Sequence, residues 1–293
     1  MKLFGNNPFR YVHLGKGLGD SILFVIFGLI APPHDRSGNR WWRLIARVIP
    51  KIWLRPKLLA GRKVLIDPTD WSQTLIFDEI FLNRTYDLEQ CGFLPDTIFD
   101  CGAHIGMFSL LAAASFPEAN IMAFEPNPHN AAQIRLQIAK NALPVTLIES
   151  AVSADSTERF FHVTNSHHGR LVGSGDGGSI RVRTTDLPAM IDRLKPANLL
   201  IKIDIEGEEE ILLPALVPLL PRDCAMFFET HSGVAGWDSV SRLLSENGFT
   251  VRQVNARGLF YDGFATRGQN ARMSAETGGV SISSARNLSA ESN

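Results

Sequence analysis

The segment Thr97-Ile98-Phe99-Asp100-Cys101-Gly102-Ala103-His104-Ile105-Gly106 decides the fold that this sequence predicts. Its first four residues are typical of a short buried strand that ends in an acid, and residues 105–116 are rich in Leu and Ala, which favours a helix. Glycines at such a turn permit positive φ angles and let the backbone approach a ligand closely. Because ligands bind beyond the carboxyl ends of the strands in an open parallel sheet, this turn is a candidate binding site. A tight strand-to-helix turn that binds nothing is the alternative.

The glycine spacing of this turn is D-x-G-x-x-x-G, from Asp100 through Gly102 to Gly106. Dinucleotide-binding proteins carry G-x-G-x-x-G at this place, where the glycines accommodate a pyrophosphate. The spacing found here serves a pyrophosphate less well. The spacing therefore argues against a nicotinamide-dependent oxidoreductase, an enzyme class that also uses a parallel α/β fold and is one interpretation of this sequence.

A second strand, residues 120–125, ends in Glu125, which lies 25 residues after Asp100. Asn127 is a good helix N-cap and Pro128 suits the first helical position, so a helix is expected directly after this acid. A carboxylate at a strand end can accept hydrogen bonds from both hydroxyls of a ribose. The alternative is an exposed acid without a ligand. Taken together, the glycine turn and Glu125 predict a nucleoside cofactor.

The rest of the chain continues this alternation of strands and helices up to residue 264. Further strands are predicted at residues 145–149, 158–163, 179–184, 198–205, 225–229, 249–254 and 259–264. Further helices are predicted from Thr185-Asp186 onward, at 206–220 with an interruption at Pro214 or Pro218, and at 237–247. The pattern predicts an α/β, Rossmann-like fold with a mostly parallel sheet and helices on both faces.

Two later strand ends carry further polar residues. The segment Lys202-Ile203-Asp204-Ile205-Glu206-Gly207 places charges within and after an apolar strand, where charge is costly unless it is paired or functional. His231 follows the next strand, and histidine is suited to act as a base because its ordinary pKa is near neutral. The alternatives are that Asp204 and Glu206 cap the next helix and that His231 is a hydrogen-bonded structural residue.

Residues 98–106, 123–128 and 201–208 together resemble the FkbM family of methyltransferases, in the same order and context. Phe81, Tyr86-Asp87 and Thr185-Asp186-Leu187 are also similar to this family. The resemblance covers residues 64–265. One departure is His104, where the family more often has Asn.

The resemblance implies a class I methyltransferase fold with a seven-stranded sheet and S-adenosyl-L-methionine as the cofactor. The cofactor-binding residues that it implies are Asp100, Gly102, Ala103, His104 and Gly106 at the first turn, Glu125 at the ribose, Ser150 and Ala151 beside the adenine, and Asp204 at the amino or methyl end. Glu206 would face the substrate. The implied acceptor is a hydroxyl-bearing small molecule or glycan, such as a sugar, a glycolipid or a secondary metabolite.

Transfer to a hydroxyl benefits from a base, and the candidates in order are Asp204, Glu206 and His231. No metal is expected, because the sequence shows no metal-specific spacing, although a divalent ion between Asp204 and Glu229 is an open alternative. No nucleic-acid partner is expected. A non-catalytic, membrane-associated protein that kept the fold is a third interpretation, and the acids kept at three strand ends count against it.

The charge of the chain is divided unevenly. Residues 1–63 contain twelve Lys and Arg against two acids, a net charge of +10, whereas the whole chain has a net charge of −1. Residues 41–49, with Trp41 and Trp42, have the spacing of a helix that either lies in a membrane interface or packs on the main domain. We therefore expect peripheral contact with an anionic membrane through residues 1–60.

Three further expectations concern organisation. The domain boundaries are a basic, apolar extension at 1–63, a methyltransferase domain at 64–265 and a disordered tail at 266–293. Cys91, Cys101 and Cys224 form no C-x-x-C pair, which indicates a reducing compartment, so a cytoplasmic protein on the inner membrane face is expected. A signal peptide around the apolar run 22–31 is the alternative.

Overall fold

The computed structural model describes residues 8–30, 49–163, 169–173, 175 and 178–268 of this chain. Its α-helices are α1 (Leu18–Ile30), α2 (Trp71–Phe77), α3 (Met107–Ser115), α4 (Pro128–Asn141), α5 (Leu187–Leu194), α6 (Glu209–Leu216) and α7 (Gly233–Glu246). Its strands are β1 (Ile52–Leu54), β2 (Val64–Ile66), β3 (Thr97–Cys101), β4 (Asn120–Phe124), β5 (Val145–Ile148), β6 (Ala151–Ser153), β7 (Glu158–His162), β8 (Arg170–Val172), β9 (Ser179–Asp186), β10 (Asn198–Ile203), β11 (Asp223–Thr230), β12 (Thr250–Arg257) and β13 (Phe260–Arg267). A 3₁₀ segment, Pro8–Leu14, precedes α1, and a π-helical turn, Asp78–Leu82, follows α2.

The central sheet has seven strands in the order β12-β13-β11-β10-β3-β4-β5. The strands β11, β10, β3, β4 and β5 are parallel, and β13 is antiparallel to both of its neighbours. Neighbouring residues of β3 lie in different apolar clusters, since Ile98 belongs to one and Phe99 to the other. The sheet is therefore covered on both faces, and the predicted Rossmann-like fold with a mostly parallel seven-stranded sheet is confirmed.

The helix predicted at 206–220 is shorter than expected. The α-helix runs from Glu209 to Leu216, contains Pro214, and passes into a 3₁₀ turn, Val217–Leu219, that includes Pro218. This agrees with the predicted interruption, because proline lacks the N–H that continues a helix. The shorter helix leaves residues 204–208 as a loop at the end of β10.

A smaller sheet with the order β6-β9-β7-β8 lies after β5. It contains the strands predicted at 158–163 and 179–184. Between them, residues 164–168, 174, 176 and 177 lie outside the described residues. This sheet contributes Phe161 and Leu171 to the cavity described below.

The predicted boundary of the tail at residue 266 is too early. Thr266 pairs with Ala225 and Arg267 with Cys224, which extends β13 to Arg267. The guanidinium of Arg267 donates to the carbonyl oxygens of Leu220 and Asn247 at 2.7 and 3.0 Å. The last two residues of β13, Thr266 and Arg267, thus belong to an inner strand through backbone pairing. Residues 269–293 lie outside the described residues.

The described part of the N-terminal extension packs on the domain. Tyr11, Phe24 and Phe27 are fully buried and surround the ring of Phe77 on α2, with centroid distances between 5.2 and 6.1 Å. The predicted helix at 41–49 lies outside the described residues except for Ile49. No helix in the described ranges has both the length and the apolar character needed to cross a bilayer.

Candidate active site at the carboxyl edge of the sheet

A cavity of about 360 Å³ opens at the carboxyl ends of the parallel strands. This volume lies within the range of small-molecule sites, roughly 300–1,000 Å³. Gly102 follows β3, Glu125 follows β4, Asp204 follows β10, and Glu229 lies near the end of β11, and all four line the cavity. The structure therefore brings together residues that the sequence predicted at separate strand ends.

The turn between β3 and α3 is fixed by a glycine that no other residue can replace without distortion. Gly102 has φ +80°, and a Cβ at this position would lie 1.9 Å from the carbonyl oxygen of Asp204. The amides of Gly102 and Ala103 donate to the carbonyl oxygen of Phe124 at 3.1 and 2.9 Å. These two amides hold β3 and β4 together, so they are not available to a ligand in this arrangement.

Of the five residues predicted at this turn, Gly102 and His104 line the cavity, whereas Asp100, Ala103 and Gly106 do not. Gly106 has φ +82° and is the N-cap of α3. Asp100 is fully buried and accepts a hydrogen bond from Ser109 Oγ at 2.6 Å, and burial raises its pKa. Asp100, Ala103 and Gly106 therefore contribute to the conformation of the turn and not to the cavity surface.

Glu125 is the buried carboxylate of the cavity wall. It is 5% exposed, and it accepts the amide of His104 at 2.7 Å and the amide of Asn127 at 2.8 Å. Burial raises the pKa of Glu125 to about 7, against the effect of these hydrogen bonds. Asn130 Nδ2 makes a third, long contact with Oε1 at 3.5 Å, so Oε2, with one donor, keeps a lone pair for a hydroxyl donor.

Lys202 explains why a charged residue interrupts an apolar strand. Its Nζ donates to the carbonyl oxygen of Gly102 at 2.7 Å and lies 3.4 Å from Asp204 and 3.9 Å from Asp100. Burial lowers the pKa of Lys202, but the two carboxylates outweigh burial and raise it. The lysine thus joins the glycine turn to the loop after β10.

Beyond β5, the two residues predicted beside an adenine are separated by the fold. Ala151 lines the cavity together with Val152, Phe161 and Leu171. Ser150 is buried instead, with its hydroxyl 2.6 Å from that of Thr185. The wall at this end is apolar. Phe161 and Leu171 were not predicted to line the site, because they come from the smaller sheet.

The opposite end of the cavity is acidic and has His231 behind it. The Nε2 atom of His231 lies 3.3 Å from Glu206, 3.7 Å from Glu229 and 3.9 Å from Asp204. The three carboxylates line the cavity, but His231 does not, and its ring packs edge-on against that of Phe260.

These charges shift the pKa values of the cluster. Burial lowers the pKa of His231, but hydrogen bonds with Glu206 and Glu209 outweigh burial and raise it to about 11. Burial and the neighbouring acids Asp204 and Asp262 raise the pKa of Glu229 to about 9. His231 is therefore an imidazolium at neutral pH, which conflicts with its predicted use as a base.

The Methyltransferase FkbM domain model matches residues 100–251, which is about half of the chain. This chain belongs to the FkbM methyltransferase family. The matched range begins at the acid that ends β3 and extends into β12, so it includes the glycine turn, Glu125 and the acidic cluster.

Several named proteins are similar in sequence to this chain. The 31-O-demethyl-FK506 methyltransferase FkbM of Streptomyces tacrolimicus is 34% identical over 211 residues, covering 60% of this chain and 81% of the relative. The hexuronic acid methyltransferase AglP of Haloferax volcanii is 25% identical, covering 52% of this chain and 62% of the relative. Methyltransferase 1 of Beauveria bassiana is 29% identical, covering 48% of this chain and 66% of the relative. The alignments thus span slightly less than two thirds of the length of the last two.

Solved structures with a similar arrangement include M. jannaschii TYW2 in complex with AdoMet, at 14% identity and a TM-score of 0.44, covering 75% of this chain and 87% of that chain. Precorrin-6y C5,15-methyltransferase from Geobacter metallireducens has 16% identity and a TM-score of 0.42, covering 64% and 89%. Both TM-scores lie below 0.5, which marks a distant structural similarity.

Part of the cavity wall comes from outside the matched FkbM range. Trp71, Leu75, Ile76 and Glu79 come from the segment before the matched range, and Arg257 and Phe260 come from the segment after it. Arg257 pairs with Glu79 and Asp262 and lies 3.8 Å from Glu229. Sequence reasoning missed these residues, because no local pattern indicates that 79 and 257 meet.

Glu209 is a further residue that the sequence analysis did not indicate. It is 1% exposed, accepts the amide of Ile205 at 2.8 Å and that of Gly207 at 2.9 Å, and lies 3.3 Å from His231 Nδ1. It holds a loop in which Glu206 has φ +58° and Gly207 has φ +107°. The segment E-G-E-E could have indicated a capping acid at this position of the FkbM domain.

Asp204, Glu209 and His231 offer ligand atoms that all lie within 4.8 Å of one another, close enough to hold a metal ion. Both oxygens of Glu209 already accept backbone amides. The expectation of a metal-free site in this FkbM domain stays a prediction.

Proposed function

We propose that this chain is an S-adenosyl-L-methionine-dependent O-methyltransferase, with cofactor and acceptor meeting in the cavity at the carboxyl edge of the sheet. The observation that carries the proposal is the meeting of Gly102, Glu125 and Asp204 in one cavity of an FkbM domain. A glycine turn that permits close approach, a carboxylate that can accept hydrogen bonds from ribose hydroxyls, and a second acid are groups that suit the binding of an adenosyl sulfonium.

The residues present fit this cofactor. Glu125 would accept one ribose hydroxyl at Oε2, which has one amide donor, and a second at Oε1 in place of the long contact with Asn130. The apolar wall of Ala151, Val152, Phe161 and Leu171 suits a planar adenine. Gly102, His104 and Asp204 would surround the methionine end. Asp100 acts through Ser109 and Lys202, which shape the turn, and touches no ligand.

The cofactor, when bound, supplies an activated methyl group, so the protein's task is mainly to position the acceptor. Asp204 and Glu206 line the cavity and are the candidates to take the hydroxyl proton. His231 would keep its proton and hold these two carboxylates in place. The base is thus assigned to Asp204 first and Glu206 second.

The acceptor is a hydroxyl-bearing small molecule or glycan: a sugar, a glycolipid or a secondary metabolite. The names of two relatives, an FK506 methyltransferase and a hexuronic acid methyltransferase, support an acceptor of this kind. The cavity lining also includes the aromatic side chains of Trp71 and Phe260 beside polar groups, which favours an acceptor ring that carries hydroxyls.

A cytoplasmic protein with peripheral contact to an anionic membrane through residues 1–60 completes the proposal. The support is the net charge of +10 of residues 1–63, because basic segments are attracted to anionic lipid headgroups.

Calorimetric titration with S-adenosylhomocysteine and with NADH tests the cofactor. We expect binding of the first and none of the second, and Glu125→Ala should weaken the first by about tenfold to a hundredfold. Transfer of a labelled methyl group into lipid, glycan and small-molecule fractions of a cell extract then identifies the acceptor. NADH binding would support the oxidoreductase, and absence of both ligands would support a non-catalytic protein.

A further inference from the structure

The outward side of α1 is apolar where a helix on the surface of a domain is normally polar. Leu18, Ile22, Ile26 and Leu29 are 81%, 52%, 42% and 63% exposed and recur at helical spacing along one stripe. Phe24 and Phe27 point the other way and are fully buried. A helix that is apolar on both sides requires a second apolar environment.

The 3₁₀ segment Pro8–Leu14, which packs against α1, has two more exposed apolar residues, Phe9 and Val12, and Leu23 is exposed on a flank of α1. We define the docking face as Phe9, Val12, Leu18, Ile22, Leu23, Ile26 and Leu29. These are seven of the fourteen large hydrophobic residues that are exposed in the described parts of the chain. Exposed apolar residues scattered singly need no explanation, but a contiguous group marks a binding surface.

The segment that carries this face is basic, because residues 1–63 have a net charge of +10. Lys16 and Lys57 are exposed, and each directly follows one of the two residues, Gly15 and Pro56, that a backbone bridge joins. The helix α1 itself contains a single charge, Asp20. An apolar stripe on a basic segment is complementary to an anionic bilayer surface and less so to another protein with an apolar groove.

We propose that the docking face inserts into the interfacial layer of a bilayer that contains anionic lipids. The helix spans 13 residues, about 20 Å at 1.5 Å per residue, so it lies along the surface and does not cross the bilayer. This proposal rests on one part of the proposed function, the membrane contact of residues 1–60. It assigns that contact to the side chains of the docking face.

The position of α1 relative to the cavity gives this contact a consequence for the acceptor. The helix α2 packs through Phe77 against Phe24 and Phe27, while its residues Trp71, Leu75 and Ile76 line the cavity. One short helix therefore connects α1, which carries the docking face, with the wall of the cavity. A membrane-bound enzyme would meet an acceptor anchored in the same bilayer, and the acceptor class is accordingly a lipid-linked glycan or glycolipid.

Co-sedimentation with vesicles at low salt tests the proposal, using phosphatidylcholine vesicles with and without phosphatidylglycerol. We expect the wild-type chain to sediment with the anionic vesicles. The double variant Ile22→Glu/Ile26→Glu should lose about a hundredfold in affinity, because each side chain no longer enters the apolar layer. The matched control is Leu194→Glu/Ile211→Glu, two residues of similar exposure on α5 and α6, which should bind like the wild type.

Lys16→Gln/Lys57→Gln should weaken binding at low salt and make little difference at high salt, because screening removes the attraction of the charges. S-adenosylhomocysteine affinity and the unfolding temperature, measured on every variant, should stay at the wild-type values. Loss of vesicle binding with intact cofactor binding separates this inference from the proposed chemistry.

Three outcomes would overturn the inference. They are absence of wild-type binding to anionic vesicles at low salt, equal binding of the Ile22/Ile26 variant, and a wild-type dimer in light scattering that the Ile22/Ile26 variant converts to a monomer. The last result would assign the docking face to a second copy of the chain.

Discussion

The Nδ1 atom of His231 lies 3.3 Å from an oxygen of Glu209, a carboxylate that also accepts the amides of Ile205 and Gly207. One buried side chain therefore sets both the conformation of the loop after β10 and the orientation of the imidazole. The other ring nitrogen faces Glu206, Glu229 and Asp204. Glu209 acts as a positioning residue for the proposed base.

Glu209→Gln should lower kcat by about tenfold to a hundredfold, because an amide NH₂ would face an N–H donor and release one end of the loop. The affinity for S-adenosylhomocysteine should change little, since the contacts of Glu209 are with Ile205, Gly207 and His231 and the substitution leaves Glu125 and the apolar wall unchanged. Steady-state kinetics and calorimetry measure the two effects. The exposed neighbour Glu210→Gln is the control, and equal kcat for both variants would contradict the positioning role.

Asp204→Asn tests the proposed base. A base contributes about 10²–10⁴-fold to a rate, so turnover should fall by that factor while the fold persists, because Lys202 keeps its bond to Gly102 and its partner Asp100. Single-turnover methyl transfer at saturating cofactor gives the rate of the chemical step. Unchanged turnover would remove Asp204 from the mechanism and leave Glu206 as the candidate.

Methyl transfer should survive dialysis against EDTA. Both oxygens of Glu209, one of the three side chains that could hold an ion, already accept the backbone amides of Ile205 and Gly207. Rates before and after dialysis, with elemental analysis of the protein, measure this. Activity that is lost on dialysis and restored by Mg²⁺ or Mn²⁺ would show that the cluster of Asp204, Glu209 and His231 is a metal site.

The fold and the principal positions of the site were predictable because their signals are local. An apolar strand, a glycine turn and an amphipathic helix each lie within one stretch of sequence, and parallel strands bring their carboxyl ends to one edge. That geometry alone predicts that Gly102, Glu125 and Asp204 meet. The helix after Asn127 likewise follows from a cap that the structure shows, with Asn127 accepting the amide of His129.

The remaining parts depend on contacts between distant segments, which no local pattern reports. Glu79 and Arg257 pair across 178 positions of the chain. The family resemblance implies Ser150 beside the adenine, and the contact of its hydroxyl with Thr185 from the smaller sheet is not indicated by any local pattern. His231 was proposed as a base on its ordinary pKa, and three-dimensional charge raises that pKa to about 11. Electrostatics and pairing of this kind become visible only in three dimensions.

Gly102→Ala should strongly destabilise the domain. Its φ of +80° is unfavourable for an L-residue, and the new Cβ would lie 1.9 Å from the carbonyl oxygen of Asp204. Gly61→Ala is a matched control, because Gly61 has φ +94° but no atom within 4 Å of its Cβ position. Urea unfolding should give a loss of about 1 kcal/mol for Gly61→Ala from backbone strain and of about 3 kcal/mol or more for Gly102→Ala. Equal losses would mean that the close approach to Asp204 is relieved without cost.

The pH dependence of stability should report on Glu125. Burial raises its pKa to about 7 in the folded state, above the ordinary value of about 4.3 in an unfolded chain. The folded state therefore binds the proton more tightly, and the free energy of unfolding should fall as the pH rises from about 4.5 to 7.

Glu125→Gln removes the titrating group, so its unfolding free energy should fall less between pH 5 and pH 8 than that of the wild type. The expected difference between the two falls is on the order of 2 to 3 kcal/mol, because one unit of pKa corresponds to about 1.4 kcal/mol. Asp155→Asn is the control, since Asp155 is an exposed acid whose pKa is lowered by its hydrogen bond with Arg159. Identical pH profiles for the wild type and Glu125→Gln would mean that Glu125 is solvated in the folded protein, and the buried ribose-binding carboxylate would then lose its physical basis.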